Sequence, residues 1–296
     1  MNKTAIEWCD QTWNPVTGCL HGCEYCYARK IARRFEGWEY TCGLCRVNIS
    51  ENKSFIAESE GIGFRAFKHN ETTMLEIDID GCLDKGFVLK NYKNAPYPIG
   101  FNPTFHGYRL NEPQYKKKPQ NIFVCSMADL FGAWVPSDWI KAVFEACEKV
   151  PQHRYLFLTK NPKRYMELYN VLPKGNNFFY GTTATTEDTD YWYSENHNWF
   201  LSIEPIMGKF SGNGFSGDKP LFEGPRIKSK WVIIGAETGK RKGKVIPKKE
   251  WIEAIVNECR RNKTPVFLKN NLAKVWGEPL IQEYPWEGVK NGCQNP

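Results

Sequence analysis

"WVIIGAETG", residues 231–239, joins an apolar run, Trp231-Val232-Ile233-Ile234, to a polar tip rich in small residues, Gly235-Ala236-Glu237-Thr238-Gly239. Four apolar residues in a row suit a strand buried on both faces, as in a parallel sheet. The same unit recurs on either side. Toward the N-terminus, Trp199-Phe200-Leu201 is tipped by Ser202-Ile203-Glu204-Pro205, and Phe178-Phe179-Tyr180 by Gly181-Thr182-Thr183. Tyr155-Leu156-Phe157-Leu158 is tipped by Thr159-Lys160-Asn161, and Ile122-Phe123-Val124-Cys125 by Ser126-Met127-Ala128-Asp129. Toward the C-terminus, Val266-Phe267-Leu268 ends in Lys269-Asn270-Asn271.

Several connections between these runs carry helical signals. Pro136 and Ser137 open a helix with Trp139, Val143, Cys147 and Val150 along one face. Asn161-Pro162 reads as an N-cap with proline at the first helical position, followed by Tyr165, Leu168, Tyr169 and Leu172 and stopped by Pro173. Pro247 opens another, with Trp251, Ile252, Ile255, Val256 and Cys259 on its buried stripe. Alternating strands and helices predict an α/β fold, either an open parallel sheet or a β/α barrel. The recurrent polar tips favour a TIM-barrel-like arrangement, full or partial, because barrel chemistry gathers at the C-terminal ends of the strands.

The first 120 residues are less regular. Thr12 to Thr17 predict a strand and loop, and Tyr27, Ile31 and Phe35 fall on one helical face with Arg29, Lys30, Arg33 and Arg34 outside it. Residues 38–95 break the β/α pattern, and "TMLEIDIDG" alternates apolar with acidic residues, so this stretch predicts a β-rich insertion in a single domain spanning 1–296. Residues 205–230 read as a long loop.

Composition limits the classes open to the chain. Apolar residues make up 41 % of 296, enough for a large core, and aromatics 15 %, which suits many packed ring contacts or a ring-lined pocket. No apolar run approaches the ~20 residues needed to cross a bilayer, and the N-terminal residues lack the pattern of a signal peptide. The expectation is a cytoplasmic protein with no membrane partner. The net charge of +7 is compatible with a polyanionic partner without requiring one. Eleven cysteines, an odd number and clustered, do not form a disulfide framework. Cys125, Cys147 and Cys259 sit in apolar runs and read as core residues.

"GCLHGCEYC", residues 18–26, places Cys19, Cys23 and Cys26 in a C-x3-C-x2-C spacing. A tetrahedral zinc site needs four ligands, so a zinc knuckle here would borrow one from elsewhere, and His21 lies inside the loop, poorly placed to supply it. A [4Fe–4S] cluster held by three thiolates keeps one iron open for a small molecule. Gly18 and Gly22 let the loop wrap closely, and Tyr25 offers a ring beside the cluster.

This spacing, with an aromatic before the third cysteine, resembles the cluster motif of the radical SAM superfamily. "TWNPVTGC", "CYARK", "FVCSMADLFG", "FLTKNPKRY", "LSIEP", "WVIIGAETG" and "PVFLKNN" together resemble a phage-associated radical SAM-like family, over residues 1–36 and about 96–285. The resemblance implies that S-adenosylmethionine binds the open iron. One electron, from a flavodoxin- or ferredoxin-type donor, then cleaves it to a 5′-deoxyadenosyl radical that abstracts a substrate hydrogen. It further implies that Ile233, Gly235 and Glu237 meet the adenine, that Ser202 and Glu204 meet ribose or substrate, and that Thr159 and Lys160 meet the methionyl carboxylate or substrate. Ser126 and Asp129 stand in for the superfamily's separate motif for the methionyl amine.

Lys269 ends an apolar strand and needs a partner; Glu204 and Glu237 are the candidates across the mouth. Lys269, Glu204 and Lys160 are therefore the candidate catalytic groups, with a structural ion pair as the plainer reading of the first two. Cys42-x2-Cys45 looks like half of a second metal site, for zinc or an auxiliary iron–sulfur cluster, with His69 and Cys82 the nearest completing ligands. "GKRKGK", residues 239–244, follows the Gly235–Glu237 tip, so Lys240, Arg241, Lys242 and Lys244 are candidates for substrate phosphates, although such a run is often only a solvated face. The leading expectation is a radical SAM enzyme acting on a nucleic acid or nucleotide. The rivals are a radical SAM enzyme for a peptide or small molecule, and a non-catalytic zinc-binding module.

Overall fold

The computed structural model describes residues 1–35, 97, 100–210, 229–239 and 241–287, together with the backbone of five strands between residues 38 and 89. Cys42, Cys45, His69, Cys82 and Lys240 lie outside the described residues. The chain forms two compact units, Met1–Thr4 with Cys9–Tyr155, and Ala5–Trp8 with Leu156–Pro296.

In the first unit the strands are β1 (Asn2–Lys3), β2 (Gln11–Trp13), β3 (Val16–Thr17), β4 (Trp38–Thr41), β5 (Arg46–Ile49), β6 (Phe64–Lys68), β7 (Glu71–Ile77), β8 (Phe87–Leu89), β9 (Thr104–His106) and β10 (Asn121–Val124). β2 and β10 pair in parallel, Trp13 opposite Val124, while β1 adds to β2 antiparallel. Two residues after β2 the chain enters a different sheet. There β3 pairs with β9, and the order runs β3-β9-β8-β7-β6-β4-β5, mainly antiparallel. Helix α1 (Tyr27–Ala32) follows the cysteine loop, and α2 (Ser137–Glu148) follows β10.

The burial of α1 differs from expectation. Ala28 and Ala32 are the buried residues, packed with Tyr97 and Met127, while Tyr27 and Phe35 are 45 % and 55 % exposed. Ala28 and Ala32 are also one turn apart, and their small side chains let the helix lie close on its neighbours, which turns the large rings outward. In α2 the expected face is the buried one: Trp139, Val143 and Cys147 all point inward, with Val150 just beyond the helix.

The second unit contains the rest of β11 (Arg154–Thr159), then β12 (Phe178–Thr183), β13 (Asn198–Ile203), β14 (Val232–Ile234) and β15 (Val266–Leu268). β12, β13, β14 and β15 are paired in parallel in chain order. With the strands named above they belong to one mostly parallel eight-stranded sheet, ordered β1-β2-β10-β11-β12-β13-β14-β15. The fold class is therefore mixed α/β. All residues of β12, β14 and β15 are buried, as unbroken apolar or small runs require. Rings fill much of this core: Phe157 stacks against Tyr180, and Trp231 meets Trp8, Phe200 and Phe267.

Helices α3 (Lys163–Glu167) and α4 (Lys249–Arg261) supply two of the crossovers, and the short α5 (Ala273–Trp276) follows β15. α4 buries Ile252, Ile255, Val256 and Cys259, with Trp251 half-buried. α3 is shorter than its pattern suggests. Pro162, not Asn161, occupies the cap position, and after Glu167 the amides of Tyr169 and Val171 donate three residues back, to Met166 and Leu168, tightening the chain into turns. Tyr165, Leu168 and Leu172 remain buried, so the helical spacing marked the buried residues correctly but not the helix's length. No helix among the described residues is long and apolar enough to cross a membrane.

Candidate functional site

In the first unit the cysteine loop is anchored at both ends. Gly18 (φ +88°) donates its amide to the Met127 carbonyl at 2.9 Å and sits against the Asn102 backbone; a Cβ there would stand 2.0 Å from the Asn102 oxygen. Only glycine fits that position on both counts. At the other end Cys26 caps α1, its Sγ accepting from the Arg29 amide at 3.4 Å. Gly22, at φ +74°, has open space around it. Cys19, Cys23 and Cys26 are half-buried free thiols. Burial pushes the Cys19 thiol up to about 12; the His21 backbone amide opposes this, and negative charge on Asp129, Cys26 or Cys23 adds to it. No group of three ligating side chains is gathered into a metal-holding cluster among the described residues.

The loop after β10 lies beside the cysteine loop, joined to it by the Gly18–Met127 and His21–Asp129 hydrogen bonds. Tyr27 donates its hydroxyl to the Ser126 carbonyl at 2.9 Å. Asn14 Oδ1 accepts from Ser126 Oγ at 3.2 Å and from the Met127 amide at 2.9 Å. Asp129, 5 % exposed, has both carboxylate oxygens engaged, one with His21 Nε2 at 2.7 Å and one with the Phe131 amide at 3.0 Å. His21 therefore points at Asp129, with its ring edge-on to Trp134. Tyr25 is half-buried in the loop. Asn14 was not marked by the sequence reading; its place between a strand and a proline is the signal that could have found it.

In the second unit the polar tips of β13, β14 and β15 do come together. Glu204, Gly235 and Lys269 each follow directly on a strand whose last residues are paired: Ile203 with Ile234, and Ile234 with Leu268. Lys269 Nζ donates to Glu204, and its second carboxylate neighbour is Glu7, 3.8 Å away. Glu7 also accepts the Asn270 amide at 3.2 Å. It was missed because nothing in the N-terminal sequence ties it to a residue more than 250 positions on. Asn271 fixes the neighbouring tip, accepting from the Ala236 amide at 3.0 Å and donating to the Ala236 carbonyl at 2.8 Å.

Glu237 is not a partner of Lys269. Its carboxylate, 2 % exposed, is gripped by Arg241 through two hydrogen bonds of 2.7 and 2.8 Å. That grip is the main reason its acid range is lowered. The reason for the choice is local: Arg241 lies four residues on, so the basic run folds back on the tip it follows. Arg241 is thereby committed to a carboxylate. Lys242 is exposed, and Lys244 donates to the Gly239 carbonyl at 3.4 Å.

Ser202 is fully buried, and its Oγ has no hydrogen-bond partner among the described residues. An orphaned hydroxyl in a parallel sheet is costly unless something else completes it. Ile233 is fully buried beside it in register. Thr159, 1 % exposed, uses its Oγ1 to accept the Asn161 amide at 2.9 Å, so it caps its own turn; Lys160 is half-buried.

No curated protein and no solved structure matches the chain. A family model does match, over residues 3–60 and 85–283, which is most of the sequence. The chain belongs to that family, described as protein of unknown function (DUF5131).

Proposed function

We propose that this protein is a radical SAM enzyme, and that its mostly parallel sheet is the partial or full β/α barrel of that superfamily. The observation that carries the reading is the loop of three free, half-buried thiols in C-x3-C-x2-C spacing, anchored by Gly18 and by the Cys26 cap. The donor set fits a [4Fe–4S] cluster: three soft ligands, with no fourth cysteine in the loop. When bound, the cluster supplies the electron, received from a flavodoxin- or ferredoxin-type donor, that cleaves S-adenosylmethionine.

The residues of the chain then have defined tasks. Cys19, Cys23 and Cys26 would hold three of the cluster's irons. Cys19 keeps its proton tightly in the metal-free chain, so loading releases it and is favoured by alkaline conditions. The Arg29 amide donates to the Cys26 sulfur and fixes its direction at the start of α1. In the second unit Ser202 has an unused hydroxyl to offer a nucleotide, and Ile233 an apolar surface. Lys269, between Glu204 and Glu7, holds a fixed array of charge at the strand tips. The proposed substrate class is a nucleic acid or nucleotide, for which exposed Lys242 beside the β14 tip is the remaining cation of the basic run among the described residues.

Anaerobic reconstitution with iron and sulfide tests the proposal. The wild-type chain should turn brown and convert S-adenosylmethionine to 5′-deoxyadenosine under a strong reductant, and Cys23→Ala should abolish both. A colourless chain that binds one zinc ion through the same cysteines would sink it.

A further inference from the structure

The span between the first two cysteines of the loop is held by a side chain. Cys19 donates its amide to the Phe101 carbonyl at 3.1 Å, and the Cys26 amide donates to the Cys23 carbonyl at 3.3 Å. One thiol is thus tied to the chain before β9, and the other two to each other by a turn. Leu20, His21 and Gly22 join these two anchored parts. Gly22 has φ +74°, and nothing packs within 4 Å of where its side chain would stand. His21 is gripped instead. Its Nε2 lies 2.7 Å from Asp129 Oδ2, and its ring is edge-on to Trp134 with the centroids 4.8 Å apart. Asp129 is fixed in turn: it is 5 % exposed, and its Oδ1 accepts the Phe131 amide at 3.0 Å. The loop that carries it is joined to Gly18 as well, by the Met127 hydrogen bond and a parallel bridge to Ala128.

We infer that Asp129 is a positioning residue for the metal-binding thiols: through His21 it sets where the Cys23–Cys26 turn stands relative to Cys19. The inference deepens the radical SAM reading and rests on it only for the identity of the metal group. An ionised carboxylate accepts and cannot donate, so Nε2 carries the ring proton, and the bond fixes the tilt of the imidazole as well as its place. A buried carboxylate held by a charge-assisted partner and by a backbone amide has little freedom to move. Cys23 follows two residues after His21, so a fixed His21 leaves it a short tether. Ligands ordered before the metal arrives need less ordering when it binds. Outer partners of metal ligands are worth about 10–100-fold in metal affinity on this account. Asp129 thereby serves the loop and not a methionyl amine, since His21 and the Phe131 amide engage both of its oxygens.

The test is an anaerobic cobalt(II) titration of the metal-free full chain, read through thiolate-to-cobalt absorbance, which needs neither sulfide nor S-adenosylmethionine. The signal counted is the part that Cys23→Ala abolishes. Wild type should bind, and His21→Ala and Asp129→Ala should each weaken binding about tenfold. The double variant should lose no more than either single one, because both break the same contact. Asp129→Asn keeps an oxygen to accept from Nε2 and should recover most of the affinity. His21→Ala leaves the Asp129–Phe131 bond in place, so it decides the matter even where Asp129→Ala fails to fold. Unchanged affinity in His21→Ala overturns the inference, whatever happens to its unfolding temperature, and so do additive losses or no counted signal in wild type. A change in the cobalt d–d bands in His21→Ala that Asp129→Ala lacks would make His21 a ligand, and overturns it too. Iron–sulfide reconstitution and 5′-deoxyadenosine formation are read on the same proteins. A wild type with both signals whose cobalt affinity ignores the substitutions removes the positioning role alone. The cobalt pattern without cluster or 5′-deoxyadenosine removes the radical reading and keeps the role.

Discussion

Lys269 and Glu204 meet over a glycine. Each is the first residue after its strand, the strand between them ends in Ile234, and Gly235 follows it. A Cβ at Gly235 would stand 2.9 Å from Lys269 Cδ and 3.2 Å from Glu204 Cγ and Cδ. The ion pair therefore depends on a hydrogen atom at the position it crosses.

Gly235→Ala should destabilise the protein by about 1–2 kcal/mol, because two side chains held by each other cannot both give way. Gly208→Ala is the control, since nothing lies within 4 Å of its added Cβ. Denaturant unfolding of the two variants should separate them; equal midpoints would mean that the pair is free to shift.

Ser202→Ala removes a buried hydroxyl that has no partner among the described residues. In the ligand-free protein it should raise stability by about 1 kcal/mol, the reverse of most core polar substitutions. If Ser202 serves a nucleotide, the same variant should bind S-adenosylmethionine more weakly. Thermal unfolding with and without the ligand measures both effects.

Arg241→Ala should cost roughly 2 kcal/mol, because it leaves the buried Glu237 carboxylate without its two charged hydrogen bonds. Lys242→Ala, at an exposed neighbour, should change stability by less than about 0.5 kcal/mol. The Glu237 contribution has a pH signature. Its folded carboxyl titrates below its ordinary 4.5, so the stabilisation is complete above that pH and disappears as the pH falls through the lower folded value. Arg241→Ala should erase this acid-limb dependence.

Burial pushes Cys19, Cys125 and Cys259 each up to about 12. The folded thiols hold their protons through a range in which the unfolded chain, at about 9.0, has lost them. Their contribution is complete below pH 9 and is lost as the pH rises through about 12, at about 1.4 kcal/mol per pH unit for each thiol. Cys259→Ala should make the alkaline limb of a stability–pH curve shallower by one such share.

The parallel strands were legible because both of their faces are buried: Val266–Leu268 has no wet side to confuse its reading. β1 was not, since Asn2–Lys3 is two exposed polar residues whose pairing to β2 leaves no pattern. α1 was legible as a helix but not in orientation. Hydrophobic size favoured the ring face, whereas packing distance selected Ala28 and Ala32. At the strand tips the partnership of Lys269 with Glu204 could be foreseen from charge and burial. The preference of Glu237 for Arg241 could not, because it depends on how "GKRKGK" bends back.

Asn14 and Pro15 are all that separate β2 from β3, and those two strands belong to different sheets. The cysteine loop starts immediately after β3, with Gly18 in place against Met127. So short a joint, between two strands paired into different sheets, leaves the start of the cysteine loop little freedom to shift. The pairing of β3 with β9 and the Gly18–Met127 hydrogen bond together set where the thiol loop begins.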